Sequence, residues 1–171
     1  MADETNEQAC GTMGVPQKEH EWLQQLVGEW TMEGEATMGP GAAPSKFEAT
    51  ESVTSLGGLW VQGVGKGKMP DGTPTTTQMT LGYDTIRNQY VGTWIGTMMA
   101  YLWVYEGTMD STGRELTLAA DGPAFETPGK TAKYRDVLTI KSPDFRTLTS
   151  YRLGDDGDWH LFMTAHYHRK K

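Results

Sequence analysis

Cysteine is almost absent from this 171-residue chain: Cys10 stands alone in a polar N-terminal run, so no intramolecular disulfide can form. A single thiol fits a reducing compartment, and the cytoplasm is the expected location. Basic residues are the minority, with 15 Lys plus Arg against 22 Asp plus Glu and a net charge of -7. That field repels phosphate backbones and acidic membrane surfaces, which argues against nucleic acid as a partner. Long apolar runs are missing too, and the opening "MADETNEQAC" has acids where a secretion signal needs positive charge and then an apolar stretch. No membrane partner is expected.

Catalytic signatures are equally scarce. The sequence holds no nucleophile motif, no phosphate-binding glycine loop and no paired-cysteine metal pattern. The stretch "GVGKGK" has glycines and lysines, but it lies in a strand pattern and lacks the spacing of a P-loop.

What is present is alternation. Residues 1–17 are polar and aperiodic and read as a flexible tail, and a single domain follows over residues 18–171. "EWLQQLVGEW" carries Trp22, Leu23, Leu26 and Val27 at helical spacing and then passes straight into a Gly-x-Trp that opens a strand. From there to the C-terminus, short period-two segments are separated by Gly, Pro, Asp and Asn turns such as "PDGTP", "DTIRN", "DSTG", "KSPD" and "GDDG". About ten such strands are more than a strongly twisted open sheet usually carries, and closure removes the exposed edges. The pattern predicts an all-β, antiparallel fold with a short N-terminal helix, an up-and-down barrel or a β-sandwich, which even-spaced short strands do not by themselves distinguish.

A set of segments in order, "HEWLQQLVGEW", "SLGGLWVQG", "MTLGYD", "YVGTW", "LWVYEG", "KYRDV" and "FMTAHY", resembles the bacterial family catalogued as domain of unknown function 1579, over residues 18–169. It also resembles the calycin superfamily of lipocalin-like and fatty-acid-binding barrels. The calycin resemblance implies that the helix closes one end of the barrel. It implies that the strand-one tryptophan, here Trp30, packs inside that end beneath a basic side chain of the last strand, for which Arg169 is the candidate. Both would then be structural. The family carries no activity to transfer.

Alternation also marks inward polar groups. Glu51 shares a face with Phe47, Ala49 and Val53, and Tyr134 and Asp136 share one with Ala132, Leu138 and Ile140. A buried acid is either bonded within the fold or used, as a ligand anchor or a general base. Trp60, Trp94, Trp103 and Met98 are candidate walls of an interior pocket. Together these residues predict a site for a small hydrophobic molecule, its polar end held by some of Glu51, Tyr134 and Asp136. The main alternative is an isomerase- or cyclase-like enzyme using the interior carboxylates and tyrosine for acid and base chemistry. A further one is an interaction protein whose barrel is only scaffold.

His160, His166 and His168 share one parity with Phe162 and Thr164, opposite the more apolar Leu161, Met163, Ala165 and Tyr167, and so are expected to face outward. His166 and His168 are the candidate metal ligands. A resemblance to nitrobindin-type haem proteins would make His166 an iron ligand, although no cofactor is the first expectation. The oligomeric state stays open between monomer and homodimer.

Overall fold

The computed structural model describes residues 14–37, 39, 41–125 and 127–171. Most of the expected tail, including Cys10, lies outside these residues. The elements in order are α1 (Lys18–Gln24), β1 (Gly28–Ala36), β2 (Ser45–Leu56), β3 (Trp60–Lys68), β4 (Pro74–Asp84), β5 (Gln89–Gly96), β6 (Met99–Met109), β7 (Glu115–Pro123), β8 (Thr131–Ser142), β9 (Phe145–Leu153) and β10 (Trp159–Arg169). Each strand pairs antiparallel with its sequence neighbours, and β1 pairs with β10, closing the barrel.

A helix of seven residues is too short to be stable alone. It is held at its start by a capping box between Gln17 and His20, and along its length by packing Leu23 into the barrel end. His20, which the sequence reading did not single out, is buried, accepts a bond from the Gln17 N–H at Nδ1 (2.9 Å) and lies 3.1 Å from the Tyr83 carbonyl through Nε2. Only one ring nitrogen therefore carries a proton, and it is the one facing Tyr83. Trp22 reaches from the helix to the β6–β7 turn, where its Nε1 donates to the Gly113 carbonyl at 2.8 Å. The chain leaves the helix through Gly28 at φ 140, and a side chain there would also run into the Arg169 guanidinium.

The hairpins follow from their turn residues. Asp84 Oδ1 accepts the N–H groups of Ile86 and Arg87 at 2.9 and 3.1 Å. In the next hairpin Asp110 Oδ1 accepts from Arg114 and Glu115, each at 3.0 Å, and its other oxygen accepts from Thr112. Those donors pull the Asp110 carboxyl down to about 2.

Inside, the barrel has two unlike halves. Near the helix the inward residues Trp30, Val53, Val61, Leu81, Tyr90, Leu116, Leu118 and Leu138 are buried and form a closed floor. Toward the other end the inward residues Met32, Phe47, Met79, Trp94, Met99, Tyr101, Ala120, Ala132, Leu148 and Phe162 pack against that core but are only partly buried. Leu148 is informative because it stands opposite Leu138 and Ala165, which are sealed, and still keeps accessible surface. An inward side chain in a closed barrel retains such surface only if it faces unfilled space.

The last strand departs from simple alternation. A β-bulge between Leu161 and Met163 inserts Phe162, which turns inward and meets Tyr134 edge-on at 5.9 Å. The expected outward placement of Phe162 is thereby corrected, because one extra residue reverses every parity beyond it. Before the bulge His160 stands opposite Arg152, and after it His166 stands opposite Thr147, so the histidines do not share one face.

Candidate functional site

The floor is built around Trp30. Its Nε1 donates to the Leu26 carbonyl at 2.9 Å, tying strand to helix. Its ring lies between two guanidiniums, that of Arg169 at 4.2 Å and that of Arg146 at 4.6 Å. Arg169 also donates to the carbonyls of Val27, Gln25 and Pro143, closing the chain end over the helix exit. Arg146, from β9, is buried, stacks on Tyr167 at 4.1 Å and forms an ion pair with Glu51 of β2. Glu51 is thus inward and occupied by a base from a strand far along the chain.

Above this floor sits Asp136. Its Oδ2 accepts from the Tyr105 hydroxyl at 2.7 Å and its Oδ1 from Ser150 at 2.5 Å. Protein surrounds the carboxyl deeply enough that desolvation raises its proton affinity above the usual carboxylate range, against the opposing pull of the Ser150 and Tyr105 bonds. Yet Asp136 is not sealed: it keeps accessible surface, while its neighbours Tyr105, Ser150 and Leu138 are buried. Like Leu148, it is an inward residue that its neighbours do not fully close over. The Tyr105 phenol is raised by burial and by the adjacent Asp136, so it remains a proton donor. A carboxyl of raised proton affinity beside a phenol can accept or hand over a proton or grip a ligand donor.

The raised value has a stability consequence. Ionising Asp136 is less favourable in the fold than in the unfolded chain, so its charge destabilises the barrel above the usual carboxylate range, and the cost disappears below it. Asp136→Asn, which removes the charge, keeps an acceptor oxygen for one hydroxyl and offers an N–H to the oxygen of the other, should raise the urea midpoint at pH 7. The gain should grow as pH rises from about 4 through the raised value and then level off. Paired urea titrations at pH 3.5 and pH 7 check this.

The other expected site residues divide. Tyr134 faces inward, is buried and donates to the Pro123 carbonyl at 2.5 Å. Trp94 and Trp103 face inward opposite each other on β5 and β6. Trp103 donates to Met99 Sδ at 3.2 Å and meets Tyr134 edge-on at 4.9 Å. Met98 lies in the turn between β5 and β6, 39% exposed, with its sulfur over Gly96 at the rim. Trp60 lies outside: Val61, Gly63 and Gly65 hold the inner face of β3, and the Trp60 ring covers Gly82 on the outer wall. Outward too are His166 and His168. His168 stacks on Phe145 at 4.8 Å with its Nε2 4.0 Å from Glu33, and His166 meets the same ring edge-on at 6.0 Å. Among the described residues no three His, Cys, Asp or Glu side chains gather as a metal site.

The wall is incomplete in one place. Pairing between β6 and β7 runs only from Met109 opposite Leu116 to Glu106 opposite Ala119, although both strands continue toward the rim. Beyond that point the Tyr101 hydroxyl donates to the Asp121 carbonyl at 3.0 Å, and the Trp103 ring lies flat on Gly122. Aromatic side chains thus fill a slot where backbone bonds stop. Gly122→Ala should cost about 1–3 kcal/mol, because its methyl would overlap the Trp103 ring. A chemical melt with a shifted tryptophan emission is the readout. A groove of about 440 Å³ lies on the threonine-rich outer face of β7, β8 and β9.

Residues 15–169 match the model of the family described as Protein of unknown function (DUF1579). The chain belongs to that family. Among solved structures, this family member is similar to the S-type phycobiliprotein lyase CPES from Guillardia theta, with TM-score 0.62 and 14% identity, covering 91% of this chain and 99% of that one. It is likewise similar to Rv2717c from M. tuberculosis, with TM-score 0.63 and 15% identity, covering 91% and 99%. At such identities the likeness establishes a shared barrel fold. No curated protein matches the sequence. Among the described residues no helix is long and apolar enough to cross a membrane.

Proposed function

We propose that the barrel binds a small, largely apolar molecule in the half away from the helix, with Asp136 holding the ligand's polar end. The observation that carries this reading is the placement of Asp136: inward, bonded by two hydroxyls, and on a residue that is not fully closed over. Met32, Met79, Trp94, Met99 and Phe162 supply adaptable apolar walls in that half, and none is fully buried without a ligand. Of the three anchors expected from the sequence, Glu51 is bonded to Arg146 and Tyr134 to Pro123, which leaves Asp136. The rim beside Met98 offers a route of entry. The reading includes no haem, since His166 points away from the interior.

Native mass spectrometry of the protein as purified from cells, with an absorption spectrum, tests it. A bound small molecule retained by the wild type and lost in Asp136→Leu supports the proposal. A Soret band would replace it with a haem reading. An apo mass, together with an organic extract free of any stoichiometric compound and no tryptophan response to apolar probes, would overturn it.

A further inference from the structure

We propose that the ligand carries a cationic or N–H donor group, an amine in chemical class, which it presents to Asp136, and that the site selects against fatty-acid-like carboxylates. The inference rests on the preceding reading of the interior as a binding site and names the polar chemistry of that ligand.

The argument is one of charge accounting inside the wall. Glu51 and Arg146 form a buried pair and cancel. Arg152, the other inward base, stands one step nearer the rim opposite Tyr134 and has its own partner. Among the described residues Asp136 is bonded to hydroxyls alone, those of Tyr105 and Ser150. Neutral donors orient a carboxylate but leave its charge uncompensated, and with about four lone-pair sites and two bonds it retains acceptor capacity. This capacity sits on an inward residue that is not fully closed over. A ligand donor completes the set, and a positive one also relieves the buried charge. A ligand carboxylate would bring a second negative charge beside the first, and among the described residues the inward arginines already have partners.

The chemistry thus separates this site from an anion-binding barrel. A fatty-acid site needs an unoccupied arginine or lysine at the end of an apolar pocket. Here the deep arginine, Arg146, lies beneath Glu51 and between the rings of Trp30 and Tyr167.

The test is calorimetric titration of the full chain at pH 7 with octylamine, octanol and octanoate, and with their dodecyl counterparts, all below micelle formation. The expected order is amine over alcohol over carboxylate, with amine and alcohol separated by about tenfold or more. In Asp136→Asn, which is neutral and keeps an acceptor oxygen for one of the two hydroxyls while turning an N–H toward the other, the amine should fall to the alcohol's level. Binding of octanoate or dodecanoate as tight as that of the alcohol overturns the inference. So does an amine preference that survives Asp136→Asn, since the overall charge of -7 would then be its source. If wild type binds none of the probes, the interior-site reading fails and takes this inference with it. Binding of the alcohol without the amine preference removes only the inference.

Discussion

Arg146→Met alone should destabilise the barrel by about 3–5 kcal/mol, whereas the double variant Glu51→Met with Arg146→Met should recover most of that loss. The asymmetry follows from burial. Glu51 is 7% exposed and Arg146 2%, so removing the base leaves a carboxylate that water cannot reach. Glu51 also has little room to retreat: a Cβ at Gly63 would sit 3.1 Å from its Oε1, so that residue's lack of a side chain is what admits the carboxylate. The single variant forfeits the stacking of Arg146 on Trp30 and Tyr167 as well. Replacing both charges trades a desolvated pair for apolar volume, which is often neutral. Urea unfolding of wild type, both single variants and the double variant forms a thermodynamic cycle. A loss below about 1 kcal/mol for Arg146→Met would mean that the pair contributes no more than an exposed one. The same cycle separates support from binding, because Asp136 is untouched and any bound small molecule should remain in the double variant.

That pair shows where sequence reading stops. Alternation along "KFEATESVTSL" is enough to turn Glu51 inward, and alternation along "TAKYRDVLTI" does the same for Asp136. Which acid receives a base is decided by a partner 95 residues away, supplied by a strand whose faces resemble each other in composition. In "FRTLTSYRL" the inward set is Arg146, Leu148, Ser150 and Arg152, and the outward set is Phe145, Thr147, Thr149 and Tyr151. The more aromatic face is the outer one, so polarity alone points the wrong way. A useful signal was nevertheless present: β9 follows β8 through a tight turn, and pairing Leu138 with Leu148 across it puts Arg146 inside. Trp60 is the converse case. The glycines at 63, 65 and 67 already mark one face of β3, and counting back from them puts Val61, not Trp60, on it. The β10 bulge was not legible, because an inserted residue leaves composition unchanged and alters only the register of pairing. The antiparallel meander was legible because period-two alternation and turn chemistry are local, whereas its closure into a barrel rather than a sandwich was carried by the calycin resemblance of the helix and Gly-x-Trp opening.

The second large effect belongs to the floor. Trp30→Ala should cost about 3–5 kcal/mol, as large truncations in sealed cores do. The ring is 1% exposed and joins three parts of the chain: the helix through Leu26, β9 through Arg146 and the C-terminal end of β10 through Arg169. Removing it opens a cavity between two guanidiniums, each of which loses an aromatic face, and frees the Leu26 carbonyl from its bond. Trp30→Phe separates these contributions. It keeps an aromatic surface for both arginines and loses the indole N–H, so it should cost about 1–2 kcal/mol, the scale of one buried hydrogen bond with some packing loss. Thermal melts give the ranking, and hydrogen exchange gives the location: in Trp30→Ala, protection should fall in α1 and at the ends of β1 and β10 more than around Asp136. Equal loss of protection throughout the barrel would show instead that floor and rim unfold as one unit, and that the rim half has no stability of its own. A floor that yields first leaves the interior space around Asp136 framed by intact strands, which is the arrangement a binding barrel needs if its rigid end is to hold the wall open for a ligand.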